Sequence, residues 1–474
     1  MEDFLAGYGP YLVFVASIVV GLAAALHAAM HKDEVRTALG WAALVLFSPF
    51  LGAFLYFVAG VNRIRRERIG RRRRGIARDE PDGQGLAGAI AIPALARLGE
   101  SVSPFPMTPG NHIVPLDGGD EAYPAMVAAI DTARRSVALS SYIFDHDEAG
   151  LAVAAALARA KARGVHVKAL IDGVGSRYSR PPITRLLKSQ GVSCALFLDG
   201  FLGLRLPYAN LRNHRKILVV DGRIGFSGGM NIRAHFLRSV MGDETARDTH
   251  FRIEGPVVSQ LMSVFAEDWR FATGETLLGR RWYGDAVADG AGGAPARVVP
   301  SGPDEVLDST HAMLIGALAE ARMRVILSTP YFLPDQALVA AFAIAARRGV
   351  AVDIVIPAAN NLKLVDYAMT AQLDQVIRHG CRVWRARGPF DHSKLFCVDG
   401  VWSYIGSSNL DPRSLRLNFE IDMEVHDPGL ATWIETRLRA RIADATRETR
   451  ETLGARPFME RLRNRVVWLA SPML

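Results

Sequence analysis

Cysteine is scarce in this 474-residue chain, which carries only Cys194, Cys381 and Cys397. None stands in a metal-ligand spacing, and three thiols in so long a chain cannot build a disulfide framework. All three lie among apolar neighbours and read as small, reduced core side chains, as a cytosolic body would carry them. Charge is absent from two stretches. No Asp, Glu, Lys or Arg occurs from Tyr11 to Met30, and none from Gly40 to Val61. Each run has the roughly 20 residues that a helix needs to cross a bilayer core. Neither shows a polar face. A cleaved signal peptide is not expected, because Glu2 and Asp3 replace the usual basic start and a second apolar run follows.

Apolar residues make up 50% of the chain and charged ones 22%, and the mean hydropathy is +0.13, values apolar enough that part of the chain is expected to avoid water. The net charge of +8 draws in polyanions, either nucleic acid or anionic lipid headgroups. Position separates the two. The basic run "NRIRRERIGRRRRGIAR" directly follows the second apolar stretch, where such clusters set topology and touch anionic lipid. The expectation is a two-helix transmembrane hairpin over 1–62, with both ends and the body in the cytoplasm. A basic collar and linker follow over 63–107.

The body says the same thing twice. "NHRKILVVDGRIGFSGGMNI" (213–232) is matched position by position by "DHSKLFCVDGVWSYIGSSNL" (391–410). The first copy supplies His214, Lys216, Asp221, Gly228, Gly229 and Asn231; the second supplies His392, Lys394, Asp399, Gly406, Ser407 and Asn409. Upstream, "ARRSVALSSYIF" parallels "ARMRVILSTPYF", and each is followed by a helix, a glycine and a strand. That alternation builds an α/β layer. Two such domains, expected over 108–285 and 286–474, pack most naturally about a pseudo-twofold axis with one shared site on it. A lone H-x-K pair is usually a solvated strand surface, but duplication of the whole motif overturns that prior.

These paired motifs resemble those of the phospholipase D superfamily, and the whole chain is similar to bacterial cardiolipin synthases. "SPFLGAFLYFVAG", "YIFDHDEAG", "ARDTHFRIEGP", "DPRSLRLNFE" and the terminal "RLRNRVVWLASPML" extend the likeness along the chain. The resemblance implies an inner-membrane, multi-pass phosphatidyltransferase that joins two phosphatidylglycerols into cardiolipin and glycerol, without a metal or other cofactor and without a nucleic-acid partner. It also implies Asp248 as the acid behind the first histidine and Glu420 behind the second. A phospholipase D hydrolase, an enzyme taking phosphatidylethanolamine as co-substrate, a nuclease and an inactive lipid-binding scaffold remain as alternatives. The twin apolar runs speak against the nuclease, and the two intact His–Lys pairs against the scaffold.

The residue types suit the chemistry. On a strand, positions two apart share a face, so each motif offers an imidazole and an ammonium to one pocket. Asp221-Gly222 and Asp399-Gly400 are hairpin turn signals, so these aspartates, although part of the motif counted as catalytic, are expected to brace the turns. Lys216 and Lys394 would hold a phosphodiester's charge, with Asn231, Asn409 and Ser407 as further phosphate ligands. One histidine attacks phosphorus while the other gives its proton to the leaving alcohol. His214 is taken as nucleophile and His392 as acid and base, although the symmetry allows the reverse. "LFLDGFLGLRLPY" could admit acyl chains or be a core strand and loop. Phe458, Leu462, Val466 and Leu469 recur at helical spacing with arginines between them, as in an interfacial helix or one docked on the body.

Overall fold

The computed structural model describes residues 2–32, 35–57, 90–198, 211–284, 292–303 and 308–471. The basic collar, the first part of the linker up to residue 89, the segment "FLGLRLPY" and the expected domain boundary at 285/286 lie outside the described residues, while the rest of the linker contains the helix Pro93–Val102. By chain contacts the N-terminal helices belong to one unit, and Arg66–Gly200 with Asn210–Leu474 form another.

In the first unit, helix α1 (Glu2–His31) contains a continuous apolar stretch, Tyr8–His31, whose most apolar 18 residues have a mean hydropathy of 2.3. At 1.5 Å per residue its 24 residues reach beyond a hydrocarbon core of about 30 Å. The second apolar run differs from the single span expected. It forms α2 (Val35–Phe47) and α3 (Pro49–Leu55), parted at Ser48, whose φ/ψ of −140°/76° is not helical. Pro49 is the cause: its ring disfavours the α conformation in the residue before it and it opens the next helix instead. Thirteen residues of α2 span only about 20 Å.

In the second unit one sheet runs through the whole body. The first half contributes β1 (Thr108–Asp117), β2 (Ser136–Ser141), β3 (His166–Asp172), β4 (Ser193–Phe197), β5 (Arg212–Asn213), β6 (Ile217–Val220), β7 (Ile224–Gly228) and β8 (Thr249–Glu254). The second half contributes β9 (Ala294–Ser301), β10 (Arg324–Ser328), β11 (Ala351–Pro357), β12 (Arg382–Ala386), β13 (Leu395–Val398), β14 (Trp402–Gly406), β15 (Asn418–Val425) and β16 (Thr446–Glu448). Their order is β16-β12-β11-β10-β13-β14-β15-β9-β1-β8-β7-β6-β2-β3-β4. Read outward from the antiparallel β9–β1 pair, the two halves follow the same order, so the duplicated sequence has become a duplicated fold.

Each half is covered by its own helices and owns a core. Val137, Leu139, Val153, Leu157 and Ile171 cluster in the first; Val325, Leu327, Phe342, Ile354 and Val383 in the second. Full burial of such a side chain stabilises by about 1.5–3 kcal/mol, so these clusters make each half a rigid support. The cysteines are free; Cys381 and Cys397 are buried and Cys194 half-buried.

Candidate active site

The motifs form hairpins as their turn dipeptides predict. β6 pairs with β7 and β13 with β14, and the turns carry consecutive positive φ values, 54° and 67° at Asp221-Gly222 and 53° and 68° at Asp399-Gly400. Asp tolerates this region better than most residues and Gly adopts it freely. Asp221 accepts hydrogen bonds from the backbone N–H groups of Arg134, Arg135 and Ser136 at 2.7–2.9 Å, and Asp399 from those of Arg322, Met323 and Arg324 at 2.7–2.8 Å. Both lie at the turn end of a four-residue strand, roughly 13 Å from its start. Their counting among the catalytic groups is therefore corrected: they brace the hairpins.

His214, Lys216, His392 and Lys394 sit at the other end, in the extended lead-in just before β6 and β13 rather than on the strands themselves. The reason is a crossing between the halves. β5 adds in parallel to β15, with Asn213 opposite Phe419, and His214 N–H donates to Phe419 O at 2.9 Å. In mirror fashion Asp391 bridges to Arg247, and His392 N–H donates to Arg247 O at 2.7 Å. Each histidine is thus mounted on the opposite half.

The supporting acids cross as well. His214 Nδ1 lies 2.8 Å from Glu420 Oε2, and His392 Nδ1 lies 2.8 Å from Asp248 Oδ2. The pairing expected within each half is corrected by this geometry, because a strand carried across the interface meets the acid there and not its own. An ionised carboxylate only accepts, so Nδ1 carries the proton in both rings and Nε2 is left for substrate. Both acids are fully buried.

Lys216 Nζ donates to His214 O at 2.6 Å, and Lys394 Nζ to His392 O. Burial pushes Lys216 down to about 7 and Lys394 down to about 8, against the pull of Glu420 and Asp248. Burial and the two lysines hold both histidines well below their ordinary value, which favours neutral rings. Burial raises Asp248 to about 6, opposed by Lys394, and raises Glu420, opposed by Lys216. A phosphodiester would supply the negative charge that restores lysine basicity.

The expected phosphate ligands divide. Asn231 Oδ1 accepts from Ile143 N–H at 3.2 Å, which leaves its own N–H donors for a ligand. Asn409, equally buried, has an Oδ1 with no partner among the described residues. Ser407 does something else: its hydroxyl donates to Glu420 Oε2 at 2.6 Å and accepts from Ile421 N–H at 2.9 Å. It buttresses the acid behind His214 instead of meeting phosphate. The other half has Gly229 at this position because a Cβ there would lie 2.5 Å from Asp248 Oδ1.

Two sets of residues escaped the sequence reading. Tyr142 packs edge-on against His214 with ring centroids 5.1 Å apart, and Tyr331 against His392 at 6.2 Å. They stand one place apart in the aligned segments "SSYIF" and "STPYF", where Tyr142 is matched by Pro330 and Tyr331 by Ile143, so the repeat alone did not single them out. Arg215 is fully buried: its guanidinium holds Asp268 at 2.8 and 2.9 Å, Glu420 O at 2.8 Å and Ser301 O at 3.1 Å. It ties the first histidine's segment to the strands behind the second motif. The acyl-chain stretch "LFLDGFLGLRLPY" lies mostly outside the described residues.

Comparison with known proteins agrees with the duplicated body. Residues 126–269 and 314–442 each match the family model described as cardiolipin synthase, PLD-like domain, and residues 19–60 match the phospholipase D-nuclease N-terminal model. Cardiolipin synthase A of Pseudomonas aeruginosa strain LESB58 is 32% identical over 98% of this chain and 96% of its own. That of Pseudomonas putida strain W619 is 33% identical over 98% and 99%. Among solved structures, the phosphatidylserine synthase of Haemophilus influenzae shares the fold, with a TM-score of 0.61 at 16% identity over 80% of this chain and all of its own.

Proposed function

Since the chain belongs to the cardiolipin synthase family of the phospholipase D superfamily, we propose that it transfers the phosphatidyl group of one phosphatidylglycerol to another, giving cardiolipin and glycerol. The observation that carries this reading is the crossed pair of buried His–carboxylate contacts, each 2.8 Å long, which supports one site made by both halves.

In the first step His214 Nε2 attacks phosphorus; a P–N bond forms, the P–O bond to glycerol breaks, and His392 hands its proton to the leaving oxygen. In the second, His392 takes a proton from the free hydroxyl of another phosphatidylglycerol as its oxygen attacks, and the P–N bond breaks. Lys216, Lys394 and the Asn231 and Asn409 amides hold the phosphoryl oxygens through both steps. Glu420 and Asp248 keep the two rings in the reactive tautomer and stabilise each imidazolium as it forms. The anionic substrate offsets the lysine charges and so raises His392 into the range where it can donate.

One helix long enough to span, a second apolar run and the basic collar that follows it support an inner-membrane location with the body in the cytoplasm, and tethering there keeps both lipids concentrated at the site. Purified protein in micelles of phosphatidylglycerol alone is expected to release cardiolipin and glycerol in equal amounts, followed by mass spectrometry. Phosphatidic acid in place of cardiolipin would mean that water is the acceptor and would overturn the reading.

The titrating groups predict a bell-shaped dependence of kcat/KM on pH. Below about 6, Asp248 takes up a proton and no longer accepts from His392. Above about 7 to 8, Lys216 and then Lys394 lose the charge that grips phosphate. The optimum is expected between these limbs, with apparent values that belong to the coupled cluster. A rate still rising at pH 9 in micellar assays would contradict the lysine assignment.

A further inference from the structure

The terminal helix, Phe458–Leu469, has two unlike faces. One is docked: Asn464 is buried, Arg463 stacks 3.7 Å over the Tyr367 ring, and Trp468 Nε1 donates to Gln372 Oε1 at 3.3 Å. The other is apolar yet open. Phe458, Met459, Leu462, Val466 and Leu469 are 44% to 74% exposed and fall on one side at helical spacing. Arg461 and Arg465 are exposed along its margin.

This face leads to the mouth of the candidate site. Tyr367 and Gln372 lie on the helix Lys363–Gln372, and their two contacts share one residue offset from Arg463 and Trp468. The helices therefore run parallel, and Phe458 lies level with Leu362. Leu362, Lys363 and Leu364 are all exposed. The neighbouring Asn361 Oδ1 accepts from the Tyr331 hydroxyl at 2.9 Å, and Tyr331 is the ring that flanks His392. Across the mouth, the exposed Tyr178 packs on Tyr142 beside His214.

We propose that the open face of Phe458–Leu469, together with Leu362–Leu364, is a membrane-docking surface that lays the site mouth on an anionic bilayer. The proposal deepens the reading given above and rests on it for the lipid nature of the substrate. An apolar stripe edged by arginines is what an interfacial helix presents, and the exposed Arg461, Arg465 and Lys363 complement an anionic headgroup layer. A second copy fits this surface poorly. A twofold contact through it would bring the same arginines together and would cover the mouth.

The full-length protein tests this in two arms. In the first, Leu462→Cys carries an environment-sensitive fluorophore, with Ile344→Cys as the control and unmodified protein as the labelling blank. Ile344 is equally open but lies near the C-terminal end of the helix Gln336–Arg347, which starts beside the strand ends that hold the site. In nanodiscs of phosphatidylglycerol and phosphatidylcholine, spin-labelled lipid is expected to quench the probe at 462 and not at 344. In the second arm, Leu462→Asp/Val466→Asp is expected to match wild type in detergent micelles and to lose roughly tenfold in turnover on bilayers, about the effect of one apolar side chain's transfer. Arg461→Glu/Arg465→Glu should lose more, relative to wild type at the same composition, as the phosphatidylglycerol fraction rises. No quenching at 462 with wild-type bilayer turnover would overturn the docking surface, as would disulfide linkage of two Leu462→Cys copies in place of quenching. No cardiolipin from wild type in micelles would instead retire the proposed reaction, while the quenching arm still reads the docking.

Discussion

Alanine at His214 or at His392 is expected to lower cardiolipin formation at least ~10⁴-fold, because each substitution removes either the nucleophile or the proton carrier for both half-reactions. The double variant should be no worse than the poorer single variant. The two rings belong to one electrostatic unit, each depressed by the same pair of lysines, and residues that act as a unit give non-additive losses. Two independent sites, one per half, would behave otherwise: each single variant would keep about half the activity and only the double would lose it. Both histidines are small contributors to the cores, so circular dichroism should report an unchanged fold and assign the loss to chemistry.

Asp248→Asn and Glu420→Gln should each cost about 10²- to 10⁴-fold, the range seen when a buried acid that fixes a histidine's tautomer becomes an amide. The informative feature is which ring responds. Glu420→Gln lies in the second half yet should release the Nδ1 proton of His214, and Asp248→Asn in the first half should release that of His392. Nitrogen-15 histidine spectra, assigned with the alanine variants, would read this crossing. A response within the same half would contradict the interface described here. Glu420 is held by Ser407 and by Asn418 Nδ2 at 3.1 Å, so its amide would also disturb those donors, whereas Asp248 is held by its neighbour Thr249 N–H at 2.8 Å. Glu420→Gln should be the harsher change.

Much of this was legible in the residues. The repeat at His214 and His392 announces a duplicated α/β body, and Asp-Gly after each apolar run announces the hairpins, because local turn chemistry and periodicity are short-range signals. What the sequence hid is long-range. Nothing local to "NHRK" says that Asn213 will pair with Phe419, and so the acid partners crossed over. The role of Ser407 was misjudged because a hydroxyl suits phosphate and carboxylate equally; only its 2.6 Å contact with Glu420 distinguishes them. Pro49 was visible, but its consequence for the second apolar run depends on whether neighbouring helices tolerate a kink or part there. Arg215 was passed over, since its burial against Asp268 follows from an interface and not from its neighbours.

Peptide mass spectrometry of His392→Ala after a single turnover on phosphatidylglycerol, quenched at alkaline pH where a phosphoramidate persists, would locate the covalent intermediate. A phosphatidyl group on His214 is the expected result, since removing the acid and base partner slows its release to the second lipid. The same group on His392 in His214→Ala, and none in His392→Ala, would exchange the two roles. Wild-type turnover with no histidine adduct in either variant would contradict a transfer through the enzyme's own histidines.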